Sequence, residues 1–195
     1  MVAARRIGLT GGIASGKSSV GRLLAAQGLP LLDADVYARE ALAPGSPGAG
    51  AVLERYGAGV RAPGGGIDRA ALGRIVFSDC AERQWLEQLV HPLVRERFAA
   101  ELEGLAAAPV VVLMIPLLFE AGLETLCSEV WLVDCEEAQQ LARLMARDHF
   151  SEADARARIA AQWPLARKRQ LADVVLDNRG DPEQLATLVE QALSR

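Results

Sequence analysis

No CxxC pair and no histidine-rich spacing links the three cysteines of this chain, Cys80, Cys127 and Cys135. So sparse and odd a set argues against a disulfide framework and against a zinc site, and predicts buried thiols in a reducing compartment. No stretch approaches the ~20 apolar residues that a membrane-spanning helix needs, and the segment after Met1 turns apolar only briefly before glycines interrupt it. The expected setting is cytoplasmic, with no membrane partner. Positive charge is not in excess either: the formal net charge is −4, which offers no general attraction to nucleic acid. No repeat recurs at a fixed period. What is left is a chain of 195 residues, 51% apolar and 24% charged, long enough for one α/β domain with a well-buried core. Any phosphate chemistry must come from cations placed locally.

The apolar pattern alternates between strand-like and helix-like stretches. Arg6 to Leu9 is a short apolar run that stops at Thr10-Gly11-Gly12, and from Ser18 the residues Val20, Leu23, Leu24 and Ala25 recur at helical spacing. That helix is expected to end near Gln27-Gly28, where glycine suits the left-handed position past a C-terminus, before a strand over Leu29 to Leu32. Strand, glycine loop, helix and strand make a βαβ unit and imply a parallel sheet. Val110 to Leu113, extending into Met114-Ile115, and Val130 to Val133 read as strands buried on both faces, and Val174 to Leu176 as a short last one. Between them, Pro44-Gly45-Ser46-Pro47-Gly48 and Pro63-Gly64-Gly65-Gly66 punctuate small helices. Asp68 precedes a helical stretch to Phe77, and Asp79-x-x-Glu82 resembles a capping box opening a long helical run to Leu105, with a break or kink expected at His91-Pro92. Pro182 to Leu193 closes the chain as a helix.

Gly11-Gly12-Ile13-Ala14-Ser15-Gly16-Lys17-Ser18 fits G-x-x-x-x-G-K-[ST] and stands between a predicted strand and a predicted helix, the context that gives the motif meaning. A chance match somewhere in a chain of this length is on the order of one in a hundred. Glycines allow successive N–H groups to turn onto phosphate oxygens, and the positive end of the following helix favours the anion. Lys17 supplies a point charge at the β and γ phosphates, and the Ser18 hydroxyl is a candidate Mg²⁺ ligand. Gly11 to Ser18, with Ser19 beside them, are therefore the candidate nucleotide-binding residues, with ATP and Mg²⁺ as the implied cofactors.

Two further features belong with the cradle. Asp33-Ala34-Asp35 falls at the carboxyl end of the second strand, the edge where open α/β sheets bind ligands. One acid could accept a proton from an attacking hydroxyl while the other holds Mg²⁺ through water, or either could cap the helix that begins at Val36. Between Gln139 and Gln170, seven cations face three acids, a local net of +4 in an acidic protein. Gln140, Arg143 and Arg147 share one helical stripe, while Ala138, Leu141, Ala142 and Met145 occupy the other side. Such a stripe could be a solvated face, or could belong to a mobile lid that brings arginine to the phosphates and excludes water.

Taken together, Gly8 to Ser18, Asp33-Ala34-Asp35 with Ala38-Arg39, His91-Pro92, Pro116-Leu117-Leu118-Phe119-Glu120, Gln140-x-x-Arg143 with Arg147-Asp148, Gln162, Ala172 to Val175 and Asp177-Asn178-x-Gly180 resemble the dephospho-coenzyme A kinase family. The resemblance spans essentially the whole chain. It implies a P-loop nucleoside-triphosphate hydrolase fold, α/β with a parallel central sheet. In it, residues 1–195 form a single kinase domain, with a core of about 1–35, 108–136 and 171–195, a helical substrate-binding insertion of about 36–107 and a helical lid of about 137–170. It also implies ATP-dependent phosphorylation of the ribose 3′-hydroxyl of dephospho-coenzyme A, the last step of coenzyme A synthesis. By position, Asp35 resembles the catalytic base, acting with Lys17 and with Arg143 as the lid arginine, while Arg147 joins the nucleotide-binding set. Asp33, Arg39, His91 and Pro116, Leu117 and Leu118 would lie near the acceptor, and Asn178 and Gly180 towards the adenine. Two departures stand out. Ala14 replaces a glycine usual in the family's loop, which implies altered stiffness without lost binding, and Met114 stands where some members carry an acid, so no metal ligand is expected there. A GTPase reading fails on the missing N-K-x-D signature. A kinase for another small hydroxyl compound and a non-catalytic nucleotide sensor remain as alternatives.

Overall fold

In the computed structural model, which describes residues 5–195, the five apolar runs are five parallel strands: β1 (Arg5–Gly11), β2 (Leu31–Asp33), β3 (Val110–Met114), β4 (Glu129–Asp134) and β5 (Val174–Asp177). Their order is β2-β3-β1-β4-β5, so β1 lies in the middle with Leu9 opposite Met114 on one side and Trp131 on the other. The βαβ reading needs one amendment, because β2 pairs with β3 and β3 separates it from β1. Adjacency in sequence cannot reveal a strand that arrives some eighty residues later.

The sheet is covered by helices α1 (Lys17–Ala26) and α9 (Pro182–Leu193), which contribute Val20, Leu24, Leu185 and Val189 to a core with Ile7, Leu9, Val112, Trp131 and Val133. Each such side chain contributes roughly 1.5–3 kcal/mol on burial. Gly28, at φ 80°, follows α1 as the left-handed residue past its end, and Asp181 caps α9 by accepting from the Glu183 and Gln184 N–H groups. Helices α6 (Glu137–Asp148), α7 (Glu152–Ala160) and α8 (Leu165–Arg169) connect β4 to β5. No helix of the described residues is long and apolar enough to cross a membrane. Cys135 is buried and Cys127 is half-buried, its thiol pushed up to about 12 by burial, but Cys80 is exposed on the first turn of its helix, contrary to the expectation of three buried thiols.

Contacts divide the chain into two compact units, the stretch up to Asp33 with Leu105–Arg195, and Ala34–Gly104. The second is all helix: α2 (Ala34–Ala41), α3 (Pro47–Tyr56), α4 (Arg69–Ser78) and α5 (Cys80–Gly104). Ser46 caps α3 with Pro47 at its first position, and Asp68 caps α4 by accepting from Ala70 and Ala71. Helix α5 runs on through Pro92, where a break or kink was expected. The reason is a stripe, Val90, Val94, Phe98 and Leu102, that is buried on both sides of the proline. Proline costs about 3 kcal/mol in a helix interior, less than burial of that stripe contributes. Phe98 meets Tyr37 of α2 edge to face at 5.0 Å.

Only half of the expected capping box forms at the start of α5. Asp79 accepts from the Ala81 and Glu82 N–H groups, but the Glu82 carboxylate turns to Arg55, two bonds of 2.8 Å, and to the Tyr56 hydroxyl. Arg55 also stacks on Trp85 at 4.6 Å. The hydrogen bonds from Arg55 hold the Glu82 carboxyl down from 4.5 to about 2. A carboxylate whose folded pKa is depressed adds stability above its unfolded value and loses it as pH falls towards the folded one. The helical unit is therefore expected to lose stability between about pH 4.5 and 2, and Glu82→Gln to flatten that part of a melting-temperature profile against pH. An unchanged slope would remove the pair from the ledger.

Candidate active site

Strand β1 delivers Gly11 to the carboxyl edge of the sheet, and residues 11–16 loop into the first turn of α1 at Lys17. The first four N–H groups of a helix have no partner within it, and here they follow directly on the glycine loop. Gly16 turns at φ 104°, and a Cβ there would collide with the Asn178 amide, so glycine is required twice over. Ala14 sits at φ 57°, in the left-handed region that favours glycine. Lys17 and Ser19 are half-buried and Ser18 is exposed on the first turn of α1. Ser15 is fully buried, and its hydroxyl oxygen has no hydrogen-bond partner, an orphan inside the loop that suits a phosphate or a water.

The stretch 137–170 grips this loop from outside. Gln140 Nε2 donates to the Ile13 carbonyl at 2.7 Å, and Gln162 Oε1 accepts from the Ile13 N–H at 2.8 Å. Asn178 Nδ2 donates to the Ser15 carbonyl at 2.7 Å, and Arg143 donates to the same oxygen at 3.4 Å and to the Asn178 carbonyl at 3.0 Å. The polar stripe of α6 is thus its inward side: Gln140 is 4% exposed and Leu144 fully buried, whereas Ala138 and Ala142 are exposed. Helical spacing identified the stripe, and Gln140 and Arg143 are its members that meet the loop, while Arg147 is exposed. The neighbour is a loop of backbone polar groups, and amides satisfy it where leucine could not.

The basic count of this stretch resolves into individual partners. Lys168, fully buried, contacts Glu120 at 2.7 Å and donates to the Pro116 carbonyl at 3.3 Å, and Glu120 also accepts from the Trp163 N–H. Asp134, 2% exposed at the end of β4, takes Arg169 and Arg179 at 2.8 Å each, and it raises the pKa of the Arg169 guanidinium. Arg147 pairs with Asp148 and Arg156 with Glu152, both in the open. Arg143 has only carbonyls as described partners, so its charge is not neutralised by a carboxylate. Asp134 is the residue that sequence reasoning passed over; its signal, an acid closing a buried strand, was available beside the arginine count.

The remaining candidates divide between the two units. Asp33 ends β2 in register with Met114, and Pro116 and Leu117 are half-buried just beyond β3. Thr10 donates to the Pro116 carbonyl at 3.1 Å. Leu118 is fully buried against Gly8, so it holds the turn from beneath. Gly180 is exposed beyond Asn178, close to the Gln184 side chain. In the helical unit, Asp35 is exposed in the first turn of α2, Arg39 donates to the Asp35 carbonyl at 2.8 Å, and His91 is half-buried on α5. No group of three potential metal-ligating side chains occurs among the described residues.

A glycine cradle at the carboxyl edge of a parallel sheet, feeding the N-terminus of a helix, defines a P-loop kinase. The likeness to a shikimate kinase from Bacteroides thetaiotaomicron, at 15% identity and a TM-score of 0.52, bears on the fold alone. The family model for dephospho-CoA kinase matches residues 5–184. A Synechococcus dephospho-CoA kinase is 70% identical over 179 residues, covering 91% of this chain and 86% of that one, and one from Gloeobacter violaceus is 50% identical over 194 residues, covering 100% and 94%. Among solved structures, a Thermus thermophilus protein superposes with a TM-score of 0.84 at 39% identity over 98% of this chain and 97% of that one. A Campylobacter jejuni dephospho-CoA kinase superposes with 0.72 at 25% over 97% and 95%. The chain belongs to the dephospho-CoA kinase family.

Two outcomes follow from the geometry. A left-handed alanine costs about 1–2 kcal/mol, and glycine removes that cost while adding about 0.5–1 kcal/mol of unfolded-chain entropy. Ala14→Gly is thus expected to leave the melting temperature level or slightly raised, with nucleotide affinity in a titration retained; a large loss of either would show that the Ala14 methyl is needed. Lys168→Met strands the Glu120 carboxylate and is expected to cost about 3–5 kcal/mol in urea unfolding. Arg156→Met, on an exposed pair, should cost under about 1 kcal/mol. Equal costs would mean that burial does not govern the pair at 120 and 168.

Proposed function

We infer that this chain carries out the reaction of its family, transfer of the γ-phosphoryl group of ATP to the ribose 3′-hydroxyl of dephospho-coenzyme A, giving coenzyme A and ADP. The observation that carries the reading is the family match over residues 5–184 combined with an intact phosphate loop. The loop backbone from Ala14 onward, with Gly11 and Gly12 setting its path, cradles the β and γ phosphates, since the Ile13 N–H is engaged by Gln162. Lys17 and Arg143 offset charge that gathers on the phosphoryl oxygens as the bond to the β-phosphate bridging oxygen breaks. Arg143 is preferred to Arg147 for this task because Arg147 is bound to Asp148.

Asp35 takes the proton of the 3′-hydroxyl as its oxygen attacks phosphorus. Asp33, the last residue of β2, is the group assigned to holding the acceptor or a metal-bound water. Ser18, exposed at the helix start, would hold Mg²⁺, which would offset the negative charge of the phosphates. Asn178 and Gly180 line the adenine end, and Arg39, His91, Pro116 and Leu117 the acceptor end, with Leu118 as support. The stretch 137–170 acts as the lid over a core of about 1–35, 108–136 and 171–195, and about 36–107 as the substrate-binding insertion. Three cysteines left as thiols suit a cytoplasmic setting.

The purified chain with MgATP should convert dephospho-coenzyme A to coenzyme A with release of ADP. Nucleotide binding without ADP release would favour a sensor, and turnover of a different hydroxyl compound alone would move the acceptor. Asp35→Asn is expected to lower kcat by about 10²–10⁴ with little change in ATP affinity. An unchanged kcat would return Asp35 to a helix-capping role.

A further inference from the structure

Strand β4 ends on Asp134, one residue past Val133, which lies in register with Gly11 where the phosphate loop begins. Asp134 is 2% exposed, and a carboxylate so placed needs cations. It has two. Arg169 Nη2 donates to its oxygens at 2.9 Å and 2.8 Å, and Arg179 Nη2 donates to Oδ2 at 2.8 Å. Glu136 lies at 2.7 Å from Arg179 Nε and Asp177 at 3.5 Å from Nη1, so one guanidinium gathers three acids around it.

That guanidinium belongs to the turn after β5. In the Asn178-Arg179 dipeptide both N–H groups and both carbonyls have partners. The Asn178 N–H donates to the Asp134 carbonyl at 2.7 Å and the Arg179 N–H to Asp177 Oδ1 at 3.0 Å, while the Asn178 carbonyl accepts from Arg143 at 3.0 Å and the Arg179 carbonyl from Gln139 at 3.0 Å. A surface turn ordinarily leaves such groups to water. What this one presents is the Asn178 amide, whose Nδ2 donates to the Ser15 carbonyl at 2.7 Å and stands where a Cβ on Gly16 would be. The carbonyl and N–H of one trans peptide point in opposite directions. A Ser15 carbonyl held by Asn178 therefore turns the Gly16 N–H the other way, as a phosphate-binding loop needs.

We propose that Asp134 is a positioning residue for the nucleotide: acting through Arg179, it fixes the Asn178 amide and thereby the orientation of the Ser15–Gly16 peptide in the phosphate loop. The proposal rests on the reading of that loop as the site of the ATP phosphates. The role is placement. A shift of the turn by about 1 Å would break the Asn178 bond, and a misplacement of that size costs on the order of 10²-fold in a site that works by orientation. Because Arg169 takes the same carboxylate, the end of the stretch 137–170 and the support of the loop are fastened to one point on the sheet.

The test uses the full chain. Asp134→Asn keeps the shape of the side chain but leaves two guanidinium groups together without their carboxylate, and Arg179→Gln, at a side chain 39% exposed, removes the link at little cost in folding. In calorimetric titrations with MgATP both variants are expected to bind about tenfold or more weakly than wild type, the size of one charge-assisted hydrogen bond, with Arg179→Lys in between. In steady-state assays the KM for ATP should rise in step while the KM for dephospho-coenzyme A stays within about twofold. Without nucleotide, the amides of the loop should exchange hydrogen faster in both variants, and those of β1 and β3 at the wild-type rate. MgATP binding that is equal in wild type and folded Arg179→Gln overturns the proposal, as does an equal rise in both KM values or an exchange rate that quickens alike over the whole chain. The titration needs no acceptor, so weaker binding in both variants supports the positioning role even if another compound proves to be the acceptor, and equal binding overturns it even if the kinase assay succeeds.

Discussion

A phosphate cradle works only if its own carbonyl oxygens are occupied elsewhere, because a loop tight enough to aim N–H groups at an anion also brings lone pairs near it. Four of the loop's carbonyls, those of Gly12, Ile13, Ser15 and Gly16, have donors. The Ser15 N–H takes Gly12, Gln140 takes Ile13, Asn178 and Arg143 take Ser15, and the Ser19 and Val20 N–H groups take Gly16. A neutral hydrogen bond of this kind contributes about 0.5–1.5 kcal/mol net and one from a charged donor about 1.5–3. Together they exceed the ~1–2 kcal/mol cost of the left-handed Ala14, which is how the loop holds its shape with a Cβ where the family more usually has none. The donors come from α6, from the end of β5 and from the loop itself, so the sheet order that sets β4 beside β1 and β5 beside β4 is also what completes the cradle.

Cations in the stretch 137–170 serve two physical purposes, and burial separates them. Lys168 and Arg169 are fastened to acids that are themselves buried or nearly so, Glu120 and Asp134, and thereby anchor the stretch to the turn after β3 and to the end of β4. Arg147 and Arg156 meet acids in solvent, where such pairs add little. Arg143 alone among these reaches the loop without an acid, bonded only to carbonyls. Its charge is therefore not offset by a carboxylate within the stretch, unlike those of Lys168, Arg169, Arg147 and Arg156.

Local chemistry was legible and long-range pairing was not. The glycine loop, the helix after it, the helix that follows Asp68 and the closing helix from Pro182 depend on residues within a few positions of one another, and these stand in the structure as the sequence suggests. The insertion of β3 between β1 and β2, the continuity of α5 through Pro92 and the inward orientation of the Gln140 stripe depend on what lies across the fold. In the candidate site, the loop came from its motif, Asp33, Asp35 and Arg143 from their positions, and the acceptor and adenine residues from the resemblance, yet no pattern in the sequence indicated that Gln140 and Gln162 hold the carbonyl and the N–H of one residue, Ile13. Nor did the arginine count show which charges were already spent. Asp134 had to be seen in place before Arg169 could be taken off that list.

The strengths of these attachments rank the motions open to the stretch 137–170. Gln140 and Gln162 hold Ile13 by neutral hydrogen bonds worth about 0.5–1.5 kcal/mol each, exchangeable for water at small cost. Lys168 is different: separating it from Glu120 leaves two charges in a buried environment, at about 3–5 kcal/mol, and also releases the Pro116 carbonyl and the Trp163 N–H. Thermal opening therefore breaks the glutamine contacts far more often than the lysine contact. The end of the stretch near 168 stays with the turn at 116–120, while α6 and its stripe can lift from the loop. Because Thr10 shares the Pro116 carbonyl with Lys168, that fixed end is tied to the strand bearing the cradle. Movement at Gln140 and Arg143 is thus movement relative to a rigid base.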